Sequence, residues 1–438
     1  MSESAIGVGM IGCGTVGGAV AALLRDEAAL YARRLGRPIA LRRVLVRDVE
    51  RAVERGAVDA ALLTDDAEAF FATEDMPIVV EVAGGRGTIG EHVRAALRAG
   101  KHVVTANKAL LAAEGPQLFA LAREHDVSIA FEASCAGGIP CITALQQGLM
   151  ANHIRGLYGI LNGTCNFILS AMTCEGAPYA DALAEAQRHG YAEADPTLDV
   201  SGADAAQKLA ILASLAFGVA VNEEQVATAG IDALDLADVR FGRELDYDIK
   251  LLAIAERPTE QSPVSLGVEP CFVHDDELLA KVGGASNALS VYGHAVGHTM
   301  YFGPGAGGMP TASAVVSDLL NVASGWYPVA FANMRLTPDV NGKAELVPAE
   351  ALRSRFYLRV NALDVPGTMA KVTSMLGEGG ISLSAVLQHE SEPGEFVPVV
   401  ITTHEAKRGD VDRAMQRIRK LDVISGEPRV IRIVDMPG

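Results

Sequence analysis

Residues 6–17 read Ile6-Gly7-Val8-Gly9-Met10-Ile11-Gly12-Cys13-Gly14-Thr15-Val16-Gly17, and this stretch decides the fold. A short apolar run ends in G-x-G-x-x-G, and an Ala-rich helical pattern follows it directly. In such a strand–turn–helix, Gly12 allows the tight turn and Gly14 lets the backbone approach a pyrophosphate. Gly17 lets helix and strand pack closely, and the helix N-terminus holds the negative charge. Gly12, Gly14, Thr15, Val16 and Gly17 are therefore read as dinucleotide-binding. The end of the second strand, Leu45-Val46-Arg47-Asp48, bears on the choice of dinucleotide. A carboxylate there suits the ribose hydroxyls of NAD, and an arginine suits the 2′-phosphate of NADP. With Arg47 and Arg51 both present, NADP is favoured and NAD stays open.

The alternation continues downstream. Ile6–Ile11, Ile39–Val46, Ile78–Val82, His102–Thr105 and Ser128–Glu132 read as strands. Gly17–Leu30 and Gly90–Ala99 have helical spacing between them. Strand and helix in alternation predict an α/β fold with a Rossmann-type parallel sheet over residues 1–133. Residues 134–325 are richer in Gly and polar residues. They carry helical segments at Tyr179–His189 and Ala203–Phe217, then strands near Pro263–Val268 and Ala288–Val296. They are expected to form an α+β substrate domain. Residues 326–352 show no clear period and read as a linker. Residues 353–438 read strand, helix, strand, strand, helix, strand, the ferredoxin-like order. Because every chemical motif lies earlier, a chain ending at Leu352 is expected to fold and remain active.

Composition narrows the function. The 438 residues exceed one hydrophobic core. Asp and Glu number 54 against 37 Lys and Arg, a net charge of -17. Such a surface repels phosphate backbones, so no nucleic-acid partner is expected. No run is long and apolar enough to span a membrane, and no basic leader precedes the first strand. The six cysteines form no C-x-x-C pair and fit a cytoplasmic protein.

Three further stretches carry chemistry. Thr105-Ala106-Asn107-Lys108 ends a strand, where a doubly wound sheet faces its ligand crevice. Gly190-Tyr191-Ala192-Glu193-Ala194-Asp195-Pro196 closes a helix. Asp199-Val200-Ser201-Gly202-Ala203-Asp204-Ala205-Ala206-Gln207-Lys208 opens the next. Asp204 and Lys208 lie four apart and share a helix face. On a surface this would be an ordinary ion pair. The helix continues Leu209-Ala210-Ile211-Leu212-Ala213 and reads as buried. The chain also has 28 Arg and only nine Lys, so a lysine here is no interchangeable cation. Lysine can give up its proton when desolvated and arginine cannot. A desolvated lysine can serve as the base that an alcohol dehydrogenation needs. Carboxylates beside it suit an ammonium group, so a small zwitterionic substrate is expected.

At this point the chain resembles the homoserine dehydrogenases that carry a C-terminal regulatory ACT domain. The matching stretches are GCGTVG, GKHVVTANKALLA, EASCAGGIP, GILNGTCNFIL, GYAEADPTLDVSGADAAQKLAILA and YFGPGAGGMPTASAVVSD. With nothing kinase-like ahead of the dinucleotide motif, the resemblance points to the monofunctional form. It implies NAD(P)-dependent interconversion of L-aspartate 4-semialdehyde and L-homoserine, in threonine, methionine and isoleucine biosynthesis. It implies that Lys208 is the proton-transferring lysine and Lys108 a second lysine near nicotinamide and substrate. Which of the two handles the proton stays open. Glu193, Asp199 and Asp204 fall on the acidic substrate-site positions, and Gly84 and Gly307 near the cofactor. Backbone carbonyls of Glu132, Cys135, Gly137 and Ile139 would hold a monovalent cation, usually sodium. Cys135 stands where valine is more usual. The tail's Asp364-Val365-Pro366-Gly367 implies an ACT domain, with threonine as the feedback effector and a homodimer or homotetramer as the assembly. Two rival readings remain. One is an aspartate-semialdehyde dehydrogenase with Cys135 as nucleophile. The other is a cofactor-sensing regulator without turnover, which has no need of the lysine–carboxylate set.

Overall fold

The computed structural model describes residues 4–437 apart from 336, 338–341, 391 and 393. The chain forms two compact units. One takes Met1–Leu157, Ala206–Val226 and Asn287–Ala344, the other Tyr158–Ala205, Ala227–Ser286 and Glu345–Gly438.

The first unit is built on a six-stranded sheet. Its order is Leu63–Thr64, Ile39–Leu45, Ile6–Ile11, Ile78–Glu81, His102–Thr105, Ile129–Ala130, and every pairing is parallel. Ile6–Ile11 is buried at all six positions, as a central strand covered on both faces must be. Strand order reverses between Ile6–Ile11 and Ile78–Glu81, which opens a crevice beyond their carboxyl ends. Gly12 and Val82–Gly84 sit there. Helix Ala203–Phe217 contributes Leu209, Ala210, Leu212 and Ala213, all 0% exposed, so its buried reading holds.

The segment read as a linker begins with a helix, Trp326–Asn333. Tyr327 and Phe331 are buried. The Tyr327 hydroxyl donates to Ile129 O at 2.9 Å, and Arg123 Nη1 donates to Phe331 O at 2.6 Å. Eight mostly apolar residues are too few to display a helical period, so tertiary packing decided what the pattern could not.

In the second unit, Tyr247–Glu256 and Ser265–His274 form an antiparallel pair. The tail has the expected order, Arg353–Leu363, Thr368–Glu378, Leu383–Gln388, Phe396–Thr403, Arg408–Ile418, Ile424–Val434, with a two-residue strand Ala406–Lys407 added. Phe356, Leu358, Val372, Leu376, Ile401 and Ile418 are central to its core. The tail packs against the rest of the second unit. Ile424–Val434 pairs in parallel with Ser265–His274 through Cys271–Val273. Arg359 Nε and Nη2 donate to the Asp238 carboxylate at 2.6 and 3.0 Å, and Tyr357 Oη donates to Asp238 Oδ1 at 3.0 Å. Asp238 is 1% exposed. A chain ending at Leu352 would lose both of these partners of Asp238. Pairing between strands more than a hundred residues apart leaves no mark on local sequence pattern, so this attachment was not legible there.

Candidate active site

The glycine loop of the first unit has the shape its spacing predicts. Gly12 has φ +97°, and a Cβ there would lie 2.7 Å from Ala83 N. A Cβ on Gly17 would lie 2.3 Å from Gly12 O. Gly14 faces open space, its nearest neighbour being Arg55 Nη1 at 4.0 Å. Gly14 is the N-cap of Thr15–Asp26 and offers no side-chain cap. Donors of the first turn at Thr15 and Val16 are thus left for an anion. The residues fit a dinucleotide pyrophosphate. Arg55 also donates from Nη1 to Cys13 O at 3.2 Å, which places a guanidinium beside the loop. Sequence reading missed it, because it lies seven residues past the strand-end pair that was weighed. Arg47 and Arg51 are exposed. Asp48 caps Val49–Arg55 by accepting from Arg51 N at 3.0 Å.

A buried carboxylate shapes the other side of the crevice. Glu81, 0% exposed, accepts from Ala83 N at 2.9 Å and Gly84 N at 2.8 Å through Oε1. It accepts from Thr105 Oγ1 at 2.7 Å through Oε2. Thr105 Oγ1 in turn accepts from Asn107 N at 3.0 Å. Asn107 donates to Gly85 O at 2.6 Å and caps helix Lys108–Glu124 by accepting from Leu110 N. Lys108, the first residue of that helix, is fixed by this chain of bonds. Neither Glu81 nor Asn107 was given a role from sequence, although Asn107 lies inside the Thr105–Lys108 stretch and Glu81 inside the strand read over Ile78–Val82. Gly307 caps Gly308–Ala323 at φ +127°. A Cβ on Gly308 would lie 3.2 Å from Thr15 Cγ2, so this helix start abuts the glycine loop.

Val16, Gly84, Lys108, Gly137 and Lys208 line one cleft of about 690 Å³. Lys208 is 8% exposed. The structure therefore brings both predicted lysines to the cleft that the glycine loop borders. The Glu132–Ile139 loop forms part of its wall. Ala136 and Gly137 adopt φ +51° and +46° in succession, a left-handed pair that turns the loop sharply. The Glu132 carboxylate accepts from Ile142 N and Thr143 N at 2.8 Å each, and Glu132 N donates to Asp318 Oδ2 at 2.7 Å. Burial pushes the Glu132 carboxyl up, and burial followed by the Glu132 charge pushes Asp318 well up. With each carboxylate oxygen accepting a backbone N–H, Glu132 has its carbonyl to offer a cation. The donor set of Glu132, Cys135, Gly137 and Ile139 would then be neutral oxygens, which suit a hard ion.

Cys135 is wholly buried, and burial pushes its thiol up to about 12. Its Sγ donates to Lys208 O at 3.8 Å. A thiol in this state is not a nucleophile near neutral pH, so the thioester rival loses its candidate.

In the second unit, Asp199 and Asp204 are bridged by Asn162. Its Nδ2 donates to Asp199 Oδ1 at 2.7 Å and Asp204 Oδ2 at 2.9 Å. Its Oδ1 accepts from Cys165 N at 2.8 Å, capping helix Gly163–Glu175. Thr164 Oγ1 donates to Tyr191 O at 2.6 Å and to Asp199 Oδ2 at 3.3 Å. Asp204 is 4% exposed. Glu193 is exposed, its carbonyl accepting from Gln187 Nε2 at 3.2 Å. Asn162 lies inside a quoted motif but was not chosen. The signal available was an Asn-Gly-Thr step at a helix start, which reads first as a cap.

Comparison with known proteins agrees with this fold. Residues 12–132 match the homoserine dehydrogenase NAD-binding domain, 140–320 the homoserine dehydrogenase family, and 356–423 the ACT domain. The chain is 43% identical over 430 residues to homoserine dehydrogenase of Pseudomonas aeruginosa, covering 97% of this chain and 98% of that one. A crystal structure of a homoserine dehydrogenase from Thiobacillus denitrificans superposes with TM-score 0.92 at 42% identity, covering 99% of each chain. A hyperthermophilic archaeal homoserine dehydrogenase in complex with NADPH superposes with TM-score 0.61 at 26% identity, covering 73% of this chain and 97% of that one.

Proposed function

The chain belongs to the homoserine dehydrogenase family of NAD(P)-dependent oxidoreductases, and we propose the following division of labour among its residues. Nicotinamide, when bound, accepts or gives the hydride. Lys208 takes the hydroxyl proton as L-homoserine is oxidised and returns it as L-aspartate 4-semialdehyde is reduced. Lys108 sits beside the reacting oxygen as a second cation and lowers the cost of developing alkoxide charge. Glu193, Asp199 and Asp204 receive the substrate ammonium. Gly12, Gly14, Thr15, Val16, Gly17, Gly84 and Gly307 hold the dinucleotide. Arg47 reads the 2′-phosphate with Arg51 in support, so NADP(H) is preferred over NAD(H). A monovalent cation, sodium by preference, lies on the carbonyls of Glu132, Cys135, Gly137 and Ile139. The tail binds threonine and lowers activity, in a cytoplasmic homodimer or homotetramer serving threonine, methionine and isoleucine synthesis.

One observation supports this reading above the rest: Lys108, Lys208 and the end of the glycine loop border the same cleft. A cofactor sensor without turnover has no use for two lysines there. Among the described residues no helix is long and apolar enough to cross a membrane. The test follows absorbance at the reduced-nicotinamide band while L-homoserine is titrated against each oxidised cofactor. Homoserine-dependent reduction supports the proposal. A folded enzyme that reduces neither cofactor sinks it.

A further inference from the structure

A second large cavity lies within the second unit, remote in sequence from the motifs already used. Its space is about 950 Å³ and opens to solvent. One wall is strand Ala227–Thr228, which pairs with Gly267 and Val268. The opposite side brings Arg408, Asp412 and Arg432 of the tail. Arg408 Nη1 donates to Glu269 Oε2 at 3.1 Å, and its Nε to the Asp412 carboxylate at 3.0 and 3.2 Å.

Arg432 is the unusual member. Its side chain is 6% exposed, yet the nearest carboxylate oxygens, Glu256 Oε2 and Glu269 Oε1, stand at 3.6 and 4.0 Å. Its Nε donates to Ser354 Oγ at 3.2 Å. A guanidinium carries five N–H donors in a planar fork that matches a carboxylate. Both acidic partners stand beyond hydrogen-bond length, so this buried fork is under-used. A ligand carboxylate would use it. A simple anion would leave Glu269 and Asp412 facing added negative charge, and a simple cation would leave the fork as it is. A zwitterion answers both, because it adds no net charge and replaces each partner it separates.

Part of the cavity wall packs against the turn that carries the acidic cluster. Thr228 and Val268 line it. A Cβ on Gly202, whose φ is +84°, would lie 3.0 Å from Thr228 Cγ2 and 3.2 Å from Val268 Cγ1. Ile231 N donates to Val200 O at 2.9 Å. The turn Val200–Gly202 lies between Asp199 and Asp204. A close-packed wall cannot shift without moving the turn behind it.

We propose that this cavity binds a small zwitterionic α-amino acid, carboxylate on Arg432 and ammonium on Glu269 and Asp412, and that occupancy displaces the Asp199–Asp204 cluster through Gly202. The proposal rests on the reading of the tail as regulatory and gives that reading a site inside a single chain. Gly267 offers a clean way to fill the cavity, since a Cβ there meets nothing closer than Ala227 O at 3.7 Å. The experiment is calorimetry on the intact enzyme with L-threonine, L-serine and L-valine, and with propionate and ethylamine as singly charged probes. Wild type, Gly267→Leu and Asp412→Asn are compared, each checked for folding by its melting transition. At least one amino acid should bind wild type, both singly charged probes should fail, and each variant should weaken binding by about tenfold or more, as loss of one charged hydrogen bond implies. Both variants should lose inhibition in parallel. Wild-type affinity in both folded variants overturns the cavity site and leaves the regulatory tail standing. Equal binding of propionate or ethylamine overturns the zwitterion. Failure of wild type to bind any amino acid overturns the site and the regulatory reading together.

Discussion

The lysine cleft of the first unit and the carboxylate cluster of the second differ in how their members are held. Lys108 follows a strand end at once and is fixed by neighbours in sequence, Thr105 and Asn107. Asp199 and Asp204 are held by Asn162, 37 and 42 residues upstream. One group is built on lysines, with Lys108 set by local punctuation. The other is anionic and set by a distant neutral amide, which satisfies two carboxylates without cancelling their charge. Groups that exchange protons need a rigid approach to the reacting atoms. Groups that hold an ammonium need charge that stays available. The comparison predicts that damage to the lysines appears in kcat, and damage to the Asn162 bridge in homoserine binding.

The largest effect is expected at Lys208. Lys208→Ala should lower kcat by roughly 10²–10⁴, the usual worth of a general acid–base, with cofactor affinity nearly unchanged. Lys208→Arg should fail as well, since a guanidinium keeps its proton. Stopped-flow traces together with cofactor fluorescence titrations check both points. A near-normal kcat would remove Lys208 from the chemistry and dissolve the contrast.

Asn162→Ala should come next. It removes two hydrogen bonds to charged groups, each worth about 1.5–3 kcal/mol. We expect kcat/KM for homoserine to fall roughly 10- to 150-fold while KM for the cofactor holds. A lower Tm with unchanged substrate kinetics would make Asn162 a helix cap and nothing more. Replacing Arg47 and Arg51 together by Ala should raise KM for NADP about tenfold over that for NAD, the exposed positions limiting the gain through solvent screening. Equal changes for both cofactors would leave Arg55 as the guanidinium to test.

The smallest effect concerns pH. Burial holds His102 below its ordinary 6.5, with Nδ1 against Ser128 Oγ at 3.0 Å. The folded chain therefore binds this proton more weakly than the unfolded chain does. Its contribution to stability is fully present above the unfolded value and is lost as pH falls below it. Tm should drop between about pH 7 and pH 5, and His102→Gln should flatten that slope. An unchanged slope would assign the acid sensitivity to other groups.

Much of this was legible because the parallel sheet writes itself locally. The glycine spacing at 12–17 and the strand end at 105–108 carry their own turns and caps, and the structure places them as read. The helix at Trp326–Asn333 was not legible, because its burial depends on Ile129 and Arg123, far back in the chain. Nor was the attachment of the tail, where Arg359 meets Asp238 121 residues away. Within the site, Asn162 and Glu81 escaped notice for one reason. Their roles lie in whom they bond, and sequence spacing shows helix faces and strand ends but not the partners of a buried amide or carboxylate.

The central claim is hydride transfer between homoserine and nicotinamide at the lysine cleft. The most direct measurement uses L-homoserine with both hydrogens of the carbinol carbon replaced by deuterium, with the reduced cofactor recovered and weighed by mass spectrometry. The account predicts reduced nicotinamide bearing one deuterium, formed at a rate slowed by the label, and no such product from Lys208→Ala on the same timescale. Reduced cofactor without deuterium, or none formed by folded wild-type enzyme, would contradict it.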